Sequence, residues 1–365
     1  MEYPSEFDAP GVRLRAYRDE DTAGVLAIGR DPETIRYTPG ASGDRDAEAV
    51  RTWIRVHSRS RWAEGRYDYA AADPQTDEFL GSGYLRVTAR WASGEIGYLV
   101  RPTARRRGVA TAMTRALADL GFARGLRRIE LRTMWENVNS QRVALAAGFR
   151  REAELRAALP GDSGHSHDVI VWSRLAADDG ARVPPLLPPL PAGALSDGVV
   201  TLRGVGPGDA AAVRALVGPD GGWGAPPGHD LVTWCARSPA RWLAGERADL
   251  LVLDAPTGAP VGLLALDRWE PAAGHAVLCA AAVPQERRQG DGARAVALLA
   301  AWAFSAGAAR LAAVAAADDI AWQRVLSGAG FQPQGRLAAF LPRPGGAWAD
   351  AFSYALLPSY QSAAG

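Results

Sequence analysis

Three observations predict a mixed α/β fold that is built twice. A period-two alternation of apolar residues gives way to a 3.6 period across an arginine-glycine loop, a second loop of the same make lies 182 residues on, and a proline-rich stretch separates them. The first loop reads "RPTARRRGVATA" from Arg101 to Ala112 and the second "VPQERRQGDGARA" from Val283 to Ala295. Pro102, Arg105, Arg106, Gly108, Phe122, Gly125, Arg128, Gln141, Arg142, Val143, Gly148 and Phe149 recur at Pro284, Arg287, Arg288, Gly290, Phe304, Gly307, Arg310, Gln323, Arg324, Val325, Gly330 and Phe331, all at one offset of 182. A constant register without a gap is the mark of a tandem duplication.

The elements of the first copy follow in order. "VRLRAYRDED" from Val12 is a short strand followed by an acidic helix N-terminus, and "VTLRGVGPGD" from Val200 repeats it, Arg15 matching Arg203 and Asp21 matching Asp209. "YDYAAAD" and "FLGSGYLRV" read as a strand hairpin. In "GEIGYLV" (Gly94 to Val100) Ile96, Tyr98 and Val100 alternate with Glu95, Gly97 and Leu99, which predicts a strand with Tyr98 on the core side. Past the loop, Met113, Ala116, Leu117 and Leu120 fall at i, i+3, i+4 and i+7, one face of a helix that Gly125 should end. "RRIELRT" alternates again, a short helix runs from about Ser140 to Gly148, and "FRREAELR" returns as a strand. A mixed sheet flanked by helices accommodates this order, the α+β variant of the α/β class.

The segment from Ala176 to Asp197 carries prolines at 184, 185, 188, 189 and 191, which favour extended, semi-rigid backbone. The expected organisation is a domain over 1–177, a linker over 178–196 and a second domain over 197–358.

Bulk properties exclude more than they assign. With 48% hydrophobic and 22% charged residues over 365, the chain reads as a soluble globular protein. A formal net charge of +1 gives no reason to expect nucleic acid or an anionic membrane as partner. All 41 basic residues are arginine. Cys235 and Cys279 share no metal-ligand spacing, and His165 and His167 would need two further ligands, so no metal is expected. The start "MEYPSEFDAP" has no signal-peptide pattern and no apolar run is long enough to span a bilayer, from which a cytoplasmic location is expected.

A strand running into a glycine-containing loop and then a helix aims several unpaired backbone N–H groups at one spot, with the positive end of the helix dipole behind them. Such a site binds anions. Gly108 lets the backbone approach a ligand, Ala110 is nearly as small, and Arg105, Arg106 and Arg107 add charge.

The loop "RRRGVA" (Arg105 to Ala110), with "EIGYLVRP" before it and "NVNS" (Asn137 to Ser140) and "AAGFRREAELR" after it, resembles the GNAT superfamily of N-acetyltransferases, in particular the branch of ribosomal-protein alanine N-acetyltransferases. The resemblance covers most of Val12 to Trp172 and, more weakly, Val200 to Tyr354. It implies two GNAT-like domains, each with a mostly antiparallel central sheet, and acetyl-CoA as cosubstrate for acetylation of a primary amine. It further implies that Arg105, Arg106, Arg107, Gly108, Val109, Ala110 and Thr111 hold the pyrophosphate, and that the main chain at Leu99 and Val100 holds pantetheine. Asn137 would contact the cofactor and Ser140 would donate to the leaving thiolate, although Asn and Ser are also preferred helix caps. Glu95 would serve as base, directly or through water, unless it merely pairs with a loop arginine.

In the second copy the same offset places Val277 at Glu95, Asp319 at Asn137 and Trp322 at Ser140, and Asp291 puts a carboxylate into the phosphate-binding turn. The second domain is therefore expected to be degenerate, supplying to the first the surface that a second subunit supplies in homodimeric relatives, within a monomer. The rival readings are an acetyltransferase for amine antibiotics of the aminoglycoside type and a non-catalytic acyl-CoA-binding or interaction protein. The acceptor itself is not legible; "TIRYTPG" (Thr34 to Gly40) and "ALPGDSGHSHD" (Ala158 to Asp168) are the segments expected to shape its pocket.

Overall fold

In the computed structural model the chain divides into two units, Met1–Pro184 and Pro185–Gly365. The structure describes residues 3–38, 46–161, 166–217, 230–270, 273–282 and 290–358.

The first unit opens with the hairpin β1 (Glu6–Ala9) and β2 (Val12–Arg15), turned by Pro10-Gly11 with Gly11 at φ +81°. β1 has no apolar alternation, which is why periodicity did not signal it. Helices α1 (Thr22–Gly29), α2 (Pro32–Tyr37) and α3 (Ala47–Thr52) follow; α3 runs through a π-helical turn at Trp53–His57 into α4 (Ser58–Ser60) and a 3-10 turn at Arg61–Glu64. Then come β3 (Arg66–Ala72), β4 (Phe79–Thr88), β5 (Ser93–Val100), α5 (Val109–Ala123), β6 (Arg128–Met134), α6 (Val138–Ala146), β7 (Arg150–Pro160) and β8 (Ser166–Leu175). The eight strands form one sheet in the order β1-β2-β3-β4-β5-β6-β8-β7, antiparallel except for β5 beside β6.

Helix α5 buries the face its spacing marks: Met113 and Leu117 are fully buried and Ala116 nearly so. Glycine on β4 sets how closely it sits, since a Cβ on Gly83 would meet the Met113 sulfur at 2.5 Å. Gly125, at φ +86°, ends the helix.

The second unit repeats the plan with β9 (Ala194–Ser196), β10 (Val200–Gly204), α7 (Ala210–Val217), α8 (Leu231–Leu243), β11 (Arg247–Asp254), β12 (Pro260–Glu270), β13 (His275–Ala282), α9 (Asp291–Ser305), β14 (Arg310–Ala316), α10 (Ile320–Gly328), β15 (Gln332–Pro342) and β16 (Trp348–Leu356). Its sheet order, β15-β16-β14-β13-β12-β11-β10-β9, is that of the first sheet element for element, with β13 and β14 the parallel pair.

The arginine of each unit's second strand and the aspartate six residues on are an ion pair. Arg15 grips Asp21 with two hydrogen bonds of 2.8 and 3.0 Å, both side chains 3% exposed, and Arg203 grips Asp209 with two of 2.8 Å.

The proline-rich segment is packed chain. Within the first unit the Val183 N–H donates to the Leu145 carbonyl. Within the second, Leu187 and Leu190 join the core, the Leu186 N–H donates to the Leu243 carbonyl, and Ala194–Ser196 is strand β9. Its leucines are the reason: between prolines that hold the backbone extended, they bury apolar surface. Among the described residues no helix is long and apolar enough to cross a membrane.

Candidate active site

Strands β5 and β6 pair in parallel from Ser93/Arg128 only as far as Ile96/Leu131. Beyond that point β5 continues on β4, from Tyr84/Gly97 to Gly81/Val100, while β6 continues on β8. The ladder between β5 and β6 thus ends halfway, and the main chain of Gly97 to Val100 is paired on the β4 side alone among the described residues. A cavity of about 700 Å³ lies here, bordered by Leu99, Tyr98, Ser140 and Asn137 at the gap, and reaching Tyr17, Trp53 and Asp68 over β3 and β4.

At the C-terminal end of β5 the arginine loop leads into α5. Its first helical hydrogen bond runs from the Ala112 N–H to the Gly108 carbonyl, so the N–H groups of Val109, Ala110 and Thr111 have no partner inside the helix. Gly108 caps the helix at φ +80° and a Cβ there would meet nothing within 4 Å, so the backbone opens onto free space. Arg106 is also left-handed, at φ +60°. Left-handed residues alternating with right-handed or extended ones turn successive N–H groups to one side, a concavity suited to phosphate. The arginine side chains are less available than their number suggests. Arg105 turns to α2, where it binds Asp31, Glu33 and Thr34, and Arg107 stands 3.7 Å from Asp73. Despite burial, which raises it, the Asp31 carboxyl is held below its ordinary range by Arg105 and Thr34.

Asn137 is the N-cap of α6, its Oδ1 accepting the Ser140 N–H at 3.1 Å, as capping predicts. The Ser140 hydroxyl does something else: it lies 2.6 Å from the Tyr98 hydroxyl. Tyr98 was expected in the core. It does extend from the α5 side of β5, but it lines the cavity, where its hydroxyl meets that of Ser140. Burial raises its pKa well above the ordinary tyrosine value.

Glu95 lies on the opposite face, with its register partner Arg86. It accepts from Arg86 at 2.5 Å and from the Tyr84 hydroxyl at 3.1 Å, with Arg132 at 3.8 Å. Gly97 makes the Tyr84 contact possible, because a Cβ there would strike the Tyr84 ring at 2.2 Å. Burial, then the Glu95 charge, pushes the Tyr84 hydroxyl up to about 12. The pairing arginines are on β4 and β6, not in the loop. They belong to a ladder of alternating charge, in which Arg132 also meets Glu130, Glu130 meets Arg128, and Arg128 holds Glu152 with two hydrogen bonds.

Residues 12–150 match the family model described as the Acetyltransferase (GNAT) domain. The first unit carries a GNAT acetyltransferase domain. Over 168 residues the chain is 27% identical to the uncharacterized N-acetyltransferase YoaA of Bacillus subtilis (strain 168), spanning 44% of this chain and 90% of that one. Among solved structures it is similar to RimJ of Mycobacterium smegmatis in complex with CoA-disulfide, at 27% identity and a TM-score of 0.40, over 48% of this chain and 87% of that one. An acetyltransferase (GNAT family) from Bacillus anthracis matches at 20% identity and a TM-score of 0.42, over 47% of this chain and 99% of that one.

Register in the second unit places other residues at the positions equivalent to Glu95, Tyr98 and Ser140. Val277 pairs with Asp267 where Glu95 pairs with Arg86, and Ala280 stands where Tyr98 stands. Trp322, at the Ser140 position, is buried in the core, its indole N–H donating to the Val314 carbonyl at 3.1 Å. Asp291 is the first residue of α9 and is 7% exposed. Arg287, Arg288 and Gln289 of that loop lie outside the described residues, as do Pro39, Gly40 and His165.

Sequence reasoning missed Tyr84, Asp68 and Arg61 in the cavity wall. A signal for the last two was available. "SRSRWAEGRYD" from Ser58 and "SPARWLAGERAD" from Ser238 share S-x-x-R-W-x-x-G followed by R-x-D, a repeat hidden because its offset is 180 up to the glycine and 181 after the inserted Glu246, not 182. Of the segments expected to shape the acceptor pocket, Tyr37, Thr38, Ala158 and Leu159 line the cavity.

Proposed function

We propose that the first unit, through residues 1–177, transfers the acetyl group of acetyl-CoA to a primary amine. The observation that carries this reading is the gap after Ile96/Leu131, with unpaired N–H groups of α5 at one side and the Tyr98–Ser140 hydroxyl pair at the other. Main-chain groups at Leu99 and Val100 hold the pantetheine arm and polarise the thioester carbonyl. The amides from Arg107 to Thr111 take the pyrophosphate, with Arg106 the loop arginine that has no ion-pair partner among the described residues. That placement fits the open space beside Gly108, which a side chain would fill.

An amine attacks only when neutral, and the proton it sheds needs an acceptor. Glu95, directly or through water, is that acceptor, and Arg86 and Arg132 fix its orientation. On the other face Ser140 donates to the departing sulfur. The Tyr98 hydroxyl, 2.6 Å away and kept protonated by burial, orients the Ser140 hydroxyl for that donation. Asn137 shapes the turn that presents Ser140.

The second unit, we propose, does not catalyse. Val277 cannot accept a proton, Trp322 and Ala280 stand where Ser140 and Tyr98 stand and bring no hydroxyl, and Asp291 places a negative charge at the N-terminus of α9, where a phosphate would be repelled. The donor is a metabolite of the cell interior, which supports a cytoplasmic site of action. Release of free thiol from acetyl-CoA in the presence of an amine panel tests the reading. Release that requires an amine supports it, and CoA binding without release for any amine would replace it with a non-catalytic acyl-CoA-binding role.

A further inference from the structure

We propose that the acceptor is an amine that also bears an anionic group, a carboxylate or phosphate, and that Arg61 is the residue that recognises it. This rests on the cavity being the acceptor site.

The charged groups of the cavity wall are Arg61, Arg66, Arg86 and Arg132 against Asp68 and Glu95, four positive and two negative, so the wall carries a net +2. Such a wall repels a polycation and attracts an acid. Three of the arginines are committed. Arg86 and Arg132 attend Glu95, while Arg66 donates to Asp68 at 3.2 Å and lies 3.9 Å over the Tyr84 ring. Arg61 has no hydrogen-bond or ion-pair partner among the described residues.

The second unit shows what the same motif does when it serves only the fold. Arg241, the counterpart of Arg61, donates to the Asp249 carboxylate and to the Trp234 carbonyl, and lies over the Trp234 ring. Asp249 further receives Arg247 at 2.6 Å and the Ser238 hydroxyl at 3.1 Å, and is 1% exposed. In the first unit Ser58 instead bonds the Ile54 carbonyl and Asp68 keeps Arg66 as its hydrogen-bonding partner; Arg61 still acts on the Asp68 charge but makes no hydrogen bond to it, and it lines the cavity.

The missing hydrogen bond is not looseness of the backbone. Gly65, left-handed at φ +79°, closes the turn after Arg61, its N–H bonding the Trp62 carbonyl and its own carbonyl receiving the Val87 N–H at 2.7 Å. The Trp62 ring packs against Tyr67 and Tyr69. A guanidinium held on such a turn, with its five donors uncommitted, suits bidentate capture of a carboxylate or phosphate.

Calorimetry on the full chain with CoA present reads binding independently of turnover. The probes are the tripeptide amides Ser-Asp-Ala, Ser-phosphoserine-Ala, Ser-Asn-Ala and Ser-Lys-Ala. We expect the Asp or the phosphoserine peptide, whichever anion the site takes, to bind at least about tenfold more tightly than the Asn peptide, and the Lys peptide to bind least. Arg61→Gln should abolish that preference while leaving the Asn peptide and CoA affinities unchanged, and Arg61→Lys should restore part of it. Equal binding of the acidic and Asn peptides, no binding of any probe, or equal weakening of all probes by Arg61→Gln would overturn the inference. If the Arg61-dependent preference holds but no peptide releases thiol from acetyl-CoA, the transferase reading fails and the anion site stands. If thiol is released from all without preference, the reverse follows.

Discussion

The hydroxyls of Tyr98 and Ser140 meet at 2.6 Å although one residue lies on strand β5 and the other in the first turn of α6. Their contact spans the place where β5 has left β6, so a proton donor stands at the mouth of the gap. If Ser140 donates to the leaving sulfur, Ser140→Ala should lower kcat by about 10²-fold, the lower end of what a positioned acid contributes. Tyr98→Phe should lower it less, by about tenfold, since Ser140 can still donate. CoA affinity should stay within about threefold in both. Steady-state rates with calorimetry check this; unchanged kcat in Ser140→Ala would leave the serine a helix residue only.

Glu95 carries two cations and a tyrosine, and it can act as base only while they hold it at the cavity wall. Glu95→Gln keeps its shape and loses its proton affinity. Turnover of an ε-amine acceptor, almost wholly protonated at neutral pH, should fall by about 10²-fold, and that of an α-amine by less. Arg86→Gln and Arg132→Gln release the carboxylate from its hold and should lower kcat by about tenfold with CoA affinity unchanged. Rates that Glu95→Gln leaves unchanged for both acceptors at pH 7 would make it a rung of the charge ladder.

Tyrosine ionisation makes folding stability fall with alkali. Burial lifts the Tyr84 hydroxyl to about 12 and raises Tyr98, Tyr17 and Tyr69 as well, whereas in the unfolded chain all titrate near 10. A group whose folded pKa is raised contributes stability that is whole below its unfolded pKa and is lost as pH rises through the folded one. Urea midpoints should therefore hold to about pH 10 and drop between 10 and 12, with a smaller drop in Tyr84→Phe. A flat profile over that window would show these hydroxyls to be solvated.

How much of this was legible in the sequence follows from range. The elements of β5, α5 and β6 were legible because alternation and helical spacing are local, and Asn137 and Ser140 because a cap is local too. The partners were not. Glu95 was read against the loop arginines nearest in sequence, but sheet register brings it Arg86 and Arg132 instead. Tyr98 was assigned to the core because its face is apolar, and only the ending of the β5–β6 ladder, a property of two strands, turns that face into the floor of a gap. The Arg15–Asp21 and Arg203–Asp209 pairs were seen as matching positions, while their contact needs the chain to fold back from strand to turn.

That pair carries its own test. Both partners in the first unit are buried, and Asp21→Asn removes one of the two carboxylates that Arg15 holds, Asp77 at 3.0 Å being the other, so it should cost about 2–3 kcal/mol, less than breaking a buried pair outright. Arg203 is 39% exposed, and water can replace its lost partner, so Asp209→Asn should cost about 1 kcal/mol. Denaturant unfolding followed through each unit distinguishes them; equal losses would contradict the burial argument.

The two copies make the anion site testable against itself. Gly108 and Gly290 cap equivalent helices, both left-handed, and in both a Cβ would meet nothing within 4 Å. Substitution by glutamate therefore introduces similar backbone strain in each, of order 1–3 kcal/mol, and differs only in what the carboxylate displaces. At Gly108 it enters the space that the N–H groups of Val109 to Thr111 face, and CoA affinity should fall at least about 10²-fold. At Gly290 it joins Asp291, a carboxylate already present, and CoA affinity of the full chain should not change. Wild-type protein should accordingly titrate with one strong CoA site per chain. Two equal sites, or a loss in Gly290→Glu as large as in Gly108→Glu, would show that α9 binds phosphate despite Asp291; a second site appearing in Asp291→Val would instead show that this carboxylate alone had closed it.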